Sequence, residues 1–82
     1  MSFDQATISA AKRFNEAMEE SQRLKKKKDI HRAVLYGSDR VPPASLSLQE
    51  REKVTRALVK TNTDIKARDK EMVELVEKIA KA

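Results

Sequence analysis

The chain has 82 residues, so it forms one small domain (1–82) that buries little surface without staples or partners. It contains no cysteine, which excludes disulfides and thiolate zinc sites. Lysine and arginine outnumber the acids 18 to 13, and the net charge of +5 permits attraction to nucleic acid or acidic lipid.

No apolar run approaches the roughly 20 residues of a membrane span. The N-terminus also lacks the pattern of a signal peptide. We therefore expect an intracellular protein, cytoplasmic or nuclear, without a membrane partner.

The first segment, about residues 3–36, has the periodicity of a helix. Ser2 and Gln5 have the spacing of a capping box, which predicts a helix start near Phe3 with Asp4 in its first turn. Apolar or small residues follow at alternating spacings of four and three, as in a coiled coil. The row consists of Phe3, Thr7, Ala10, Phe14, Ala17, Ser21 and Leu24, and it resumes at His31 and Leu35.

Four consecutive lysines, Lys25 to Lys28, follow this row. At about 100° per residue they surround most of the helix, so they cannot all face solvent if a partner helix runs alongside. Three interpretations stay open: a helix that is locally free of a partner, a kink or break at 25–29, or lysine stems that extend past the partner. Gly37 then ends the helix, because glycine readily adopts a positive φ angle.

The only glycine and both prolines lie within 37–47, which predicts a loop there. Ser47 and Glu50 form a second capping-box pattern with no glycine or proline after it, so a second helix is predicted at about 48–81. The fold class is therefore all-α, an antiparallel two-helix hairpin with the packing of a coiled coil. The heptad rows of the second helix are Leu58, Ile65, Met72 and Ile79 in one, and Val54, Thr61, Arg68 and Leu75 in the other.

Folding the chain about the loop predicts the register of the hairpin. Residues equidistant from the loop meet, which places Leu35 by Leu48 and Phe14 opposite Arg68, within reach of a cation–π contact. Because two helices bury only one stripe each, other apolar residues stay at the surface. We expect oligomerisation or partner helices to complete a bundle, so that another protein or a second copy covers them. The predicted interface consists of Ile8, Ile30, Val34, Val59, Val73 and Val76.

Motifs for catalysis or cofactor binding are missing from the sequence, and the single histidine, His31, has no second ligand or nucleophile near it. We expect a non-enzyme with no cofactor and no metal. The sequence predicts a protein–protein interaction module, a small adaptor or accessory subunit that docks by helix packing within a larger assembly. The alternative is a small basic dimeric regulator that binds nucleic acid, or an acidic partner, through a basic cluster. An ordinary solvated helix face would carry such a cluster as well. The cluster consists of Arg23, Lys25, Lys26, Lys27, Lys28 and Arg32.

Overall fold

The computed structural model describes residues 3–81 and contains two α-helices, α1 (Gln5–Tyr36) and α2 (Leu48–Ala80). The helices pack against each other in antiparallel directions, and there is no strand within residues 3–81. The hairpin measures 58 × 24 × 14 Å. Because a helix with its side chains is about 10–12 Å across, the hairpin is one layer thick and has two broad faces. The all-α hairpin predicted from the sequence is confirmed.

Helix α1 begins later than predicted, because Asp4 is its N-cap. Asp4 Oδ1 accepts a hydrogen bond from the backbone N–H of Thr7 at 2.7 Å, which satisfies one of the amides that a helix start leaves unpaired. The same interaction lowers the pKa of the Asp4 carboxyl. The prediction that Asp4 belongs to the first turn is therefore wrong. Ser2, half of the predicted capping box, lies outside the described residues.

The two ends of the loop are held as predicted. Ser47 Oγ accepts from the backbone N–H of Glu50, and the Glu50 carboxylate accepts from the backbone N–H of Ser47, both at 3.2 Å, which completes the capping box of α2. Gly37 caps the end of α1 with φ at 77°. The backbone N–H of Ala44 donates to the Val34 carbonyl at 3.0 Å, so the loop returns onto the last turn of α1.

The core is a seam of mostly small side chains between the helices, and it follows the predicted rows. In α1 the buried positions are Thr7, Ala10, Ala17, Ser21 and Leu35, with Phe14, Leu24, Lys28 and His31 half-buried. In α2 they are Thr61 and Ile65, with Val54, Leu58, Arg68, Met72, Leu75 and Ile79 half-buried. We call these positions the seam. Small side chains let the two backbones approach closely, but they bury little apolar surface.

The α-helix continues without a break through 25–29, so the kink left open by the sequence is not observed. Lys28 occupies a seam position and is half-buried, while Lys25, Lys26 and Lys27 are exposed. The half-burial of Lys28 at a seam position agrees with the interpretation in which a lysine stem extends past the partner helix.

The register differs from the prediction near the middle of the hairpin. Arg68 was expected opposite Phe14, but its Nη1 lies 3.2 Å from Glu20 Oε2 and 3.3 Å from Glu71 Oε2. Leu48 was expected to cover Leu35, but it is 87% exposed. Heptad periodicity leaves the axial position of one helix against the other undetermined, because sliding by one turn keeps the same face inward. The ion pairs that join the two helices, Arg13 with Glu71 and Arg68 with Glu20, restrict the helices to the axial position observed.

Candidate docking face

The two broad faces of the hairpin follow from the position of each residue relative to the seam. A residue one position after a seam residue lies about +100° around the helix axis from it, and a residue one position before the seam residue lies about −100° around the same axis. The two kinds of position therefore lie on opposite broad faces. Because the helices are antiparallel, the positions after the seam share one face in both helices, and the positions before it share the other.

The face formed by the positions after the seam is rich in apolar side chains, and we call it the valine face. Its valines, Val59, Val73 and Val76, are 60%, 59% and 50% exposed. Met18 and Ile8 of α1 lie on the same face and are also exposed. The face therefore presents an apolar surface of the kind that marks a contact with another molecule.

Two hollows on the valine face show which side chains lie together. One lies towards the free ends of the helices, and its lining is Phe14, Lys25, Asp69, Met72, Val73, Val76 and Glu77. The other lies at the free ends, and its lining is Phe3, Thr7, Ile8, Ala11, Lys12, Asn15 and Ile79. The surface of both hollows is mostly apolar, although charged or polar side chains also contribute to each lining, and such a surface suits the apolar side of an incoming helix.

The opposite face, formed by the positions before the seam, carries a network of ion pairs, and we call it the ionic face. Arg13 binds Glu71 through two nitrogens, with Nη2 3.0 Å from Oε2. Arg13 Nη1 also lies 3.3 Å from Glu16 Oε2 and 3.7 Å from Glu20 Oε1. Arg68 of α2 forms ion pairs with both Glu20 of α1 and Glu71 of its own helix. The network links α1 to α2 and restricts their axial position.

The charges in this network shift the ionisation of its members. The hydrogen bond from Arg13 holds the pKa of the Glu71 carboxyl below its ordinary value, and the positive charges of Arg13 and Arg68 act in the same direction. The hydrogen bond with Glu71 likewise raises the pKa of Arg13. Because Glu71 is more acidic in the folded state, its ionisation stabilises the hairpin above the ordinary pKa, and this contribution is lost as the pH falls through the lowered value.

We expect Glu71→Gln to lower the melting temperature near neutral pH, because glutamine cannot form the charged bidentate pair with Arg13. The difference from the wild type should shrink as the pH falls below 4.5, the ordinary pKa of the carboxyl. Thermal melts at a series of pH values measure this difference. Glu74→Gln, at an exposed carboxylate of the same helix, is the control and should change little. A difference for Glu71→Gln that stays constant down to acid pH would contradict this account.

The structure divides the predicted interface residues between the two faces. Ile8, Val59, Val73 and Val76 follow seam positions and lie on the valine face. Ile30 and Val34, by contrast, precede His31 and Leu35 in the seam and lie on the side of the ionic face. Ile30 is exposed and Val34 is half-buried. One flat partner surface can therefore reach the first four residues but not all six.

The predicted basic cluster is likewise divided around α1. Lys25 lines a hollow of the valine face, and Arg32, seven positions later, lies on the same side. Lys27 lines a hollow on the ionic face, whose other members are Glu20, Arg23, Leu24, Asp64 and Arg68. Lys26 is exposed on the outer side, and Lys28 lies in the seam. The six side chains therefore form no single patch, and two carboxylates stand beside Arg23 and Lys27.

The charge of the hairpin is divided along its length. The loop half, residues 23–68, holds 13 basic and 5 acidic residues, a net charge of +8. The free-end half, the rest of the chain, holds 5 basic and 8 acidic residues, a net charge of −3. Sequence reasoning missed this division because it counted charge over the whole chain, although the positions of the charges were available there.

His31 is a half-buried seam residue, and its Nδ1 is buried with no hydrogen-bond partner. Within residues 3–81, no group of three or more His, Cys, Asp or Glu side chains is arranged to hold a metal ion. Neither helix, over that same stretch of chain, is both long and apolar enough to cross a membrane.

The sequence and the fold were also compared with known proteins. No family model, no curated protein and no solved structure matches the chain.

Proposed function

We propose that this hairpin is a non-enzymatic interaction module, a small adaptor or accessory subunit that docks through its valine face within a larger assembly. The observation that supports this most is the grouping of Ile8, Val59, Val73 and Val76 on one broad face, with all four exposed. The ionic network on the other face holds the helices in register. The valine face is therefore a preorganised surface, and preorganisation reduces the ordering that binding requires.

A second function, nucleic-acid binding by a small basic protein, is favoured by one observation. The loop half carries a net charge of +8, and such a charge attracts phosphate backbones. Two features weigh against it. The basic cluster is spread around the helix, so only a few of its members can reach one backbone at a time. The chain also has only three aromatic residues, Phe3, Phe14 and Tyr36, and base stacking needs such side chains near the basic ones.

One experiment separates the two functions. The tagged full chain is sedimented through a gradient in extracts of its own cells, as wild type, as Val73→Asp with Val76→Asp, and as a variant with Lys25 to Lys28 changed to glutamine. We expect the wild type and the glutamine variant to sediment in a larger assembly that survives nuclease treatment. The aspartate variant should sediment as the small free chain, because two charges would be buried against the partner.

The opposite pattern would contradict the adaptor function. If nuclease or the glutamine substitutions release the chain while the aspartate variant stays in the assembly, the nucleic-acid function replaces it. Circular dichroism of each purified variant serves as the control for folding, because Lys28 lies in the seam and aspartate is a weaker helix former than lysine or glutamine.

A further inference from the structure

One row of the valine face sets complementary side chains together when two copies of α2 run antiparallel. On α2 the positions that follow the seam are separated by alternating steps of three and four, so the row is symmetric about the midpoint of each step, and one of these midpoints lies between Lys66 and Asp69. A second α2 laid antiparallel on this row sets each residue against its mirror position. The pairs are Val59 with Val76, Asn62 with Val73, and Lys66 with Asp69.

From the Val59–Val76 and Lys66–Asp69 pairs and from the division of charge along the hairpin, we propose that the occupant of the valine face is a second copy of this chain. Two hairpins stack with their valine faces in contact, so that α2 packs on α2 of the second copy and α1 packs on α1. The result is an antiparallel four-helix bundle with twofold symmetry. Two of the three pairs match in chemistry, since valine meets valine and lysine meets aspartate, while Asn62 meets Val73. The inference rests on the function proposed above and names the partner of the same face.

A single twofold axis has to serve both helices, and the ion pair between Glu20 and Arg68 places a crossing point on each helix at one level. On α1 the positions that follow the seam are symmetric about Glu20, with Met18 and Gln22 as the nearest pair. On α2 the midpoint lies beside Arg68. Glu20 Oε2 and Arg68 Nη1 are 3.2 Å apart. Because rows with this spacing have a midpoint at every step, one axis at this level can serve both helices.

The division of charge selects the antiparallel arrangement over the parallel one. In a parallel stack the two loop halves, each with a net charge of +8, would lie side by side. In the antiparallel stack each loop half lies along the free-end half of the other copy, which carries −3. Opposite charges attract and like charges repel across an interface, so both the long-range charge and the Lys66–Asp69 pairs favour the same orientation.

The size of the face and the geometry of Asp69 both allow this contact. The broad face measures 58 by 24 Å, which exceeds the roughly 800 Å² that each partner of a standard interface buries. Ser21 Oγ donates to Asp69 Oδ1 at 3.0 Å, and this bond uses only one carboxylate oxygen. The other oxygen, Oδ2, is left to accept from Lys66 of the second copy.

The test is a charge exchange between two variants of the full chain. Lys66→Glu sets glutamate against Asp69 of the second copy, and Asp69→Lys sets lysine against Lys66. We expect each variant alone to dimerise at least about tenfold more weakly than the wild type, because each dimer contains the repulsive pair twice. An equimolar mixture should recover the dimer, because the mixed pair contains one Glu–Lys and one Asp–Lys contact. Sedimentation velocity at several concentrations measures the association.

The mixture separates this contact from effects within one helix, since mixing leaves each variant's own Lys66 and Asp69 neighbours unchanged. Lys70→Glu, the same charge change at an exposed position facing away from both the seam and the valine face, is the control and should associate as the wild type does. Val59→Glu mixed with Val76→Lys repeats the test without touching the partner of Ser21. Both valines are at least half exposed, so these variants should fold.

Three results would overturn the proposal: a wild type that sediments as a monomer at all concentrations, single variants that associate as the wild type does, or mixtures that stay monomeric in both tests. If the purified chain is monomeric while the cellular assembly still depends on Val73 and Val76, the second copy is excluded as the partner. The adaptor function would then stand with a different protein on the valine face.

Discussion

Replacing Ile65 with alanine should lower the free energy of unfolding by about 2–4 kcal/mol. Ile65 is 8% exposed, and within residues 3–81 the other buried apolar side chains are only Ala10, Ala17 and Leu35. Since the seam contains so few large apolar groups, the cavity has little chance of being filled by a neighbour. The loss is a large share of the stability of a small domain, which is typically about 5–15 kcal/mol.

Urea titration followed by circular dichroism measures this loss, with all proteins at one concentration because association would add to the apparent stability. Leu48→Ala is the matched control, since Leu48 is an exposed apolar residue of the same helix. We expect Leu48→Ala to change the unfolding free energy by less than about 0.5 kcal/mol. Equal losses for the two variants would mean that the seam is not the core of the protein.

Replacing Gly37 with alanine should destabilise the hairpin by about 1–3 kcal/mol from the backbone conformation alone. Gly37 has φ at 77° and ψ at 178°, a region that is essentially restricted to glycine. A Cβ atom there would also lie 2.8 Å from both N and Cδ of Pro43 and 2.9 Å from the Val41 carbonyl oxygen. These contacts are with backbone and a rigid ring, so the loop would have to move.

The same urea titration tests this prediction, with Ser38→Ala as the control at the next, exposed position. The backbone bonds between Ser38 and Val41, at 2.7 and 3.3 Å, do not use the serine side chain. The control should therefore unfold as the wild type does. If Gly37→Ala also unfolds like the wild type, the loop conformation described for residues 37–43 is wrong.

Most of the fold could be predicted from the sequence because it depends on local signals. The seam follows from spacings of three and four, and the start of α2 follows from the Ser47–Glu50 capping box. The start of α1 was harder, since Ser2 and Asp4 are both good N-cap residues and only the bond to Thr7 distinguishes them. The axial register could not be predicted, because it depends on interhelical contacts such as Arg13 with Glu71.

The candidate site was predicted in part. Exposed valines on α2 were expected at the surface, and the structure places Val59, Val73 and Val76 on one face. Ile30 and Val34 were grouped with them by hydropathy, although their place before the seam already indicated the other side. The Lys66–Asp69 pair was also present in the sequence. Its position relative to α1 needed the register, which sets Glu20 beside Arg68.

The most direct test of the central claim, that two copies of the chain bind each other through the valine face, is the mass of the purified chain in solution. Size-exclusion chromatography with light scattering and two-wavelength ultraviolet absorbance gives mass and nucleic-acid content together. The chain has one tyrosine and no tryptophan, so bound nucleic acid would be conspicuous. We predict a protein-only particle of about twice the 9.3 kDa chain mass, and a helical monomer for Val73→Asp with Val76→Asp. A wild-type particle that carries nucleic acid and loses it in high salt, or the same mass for wild type and variant, would contradict the claim.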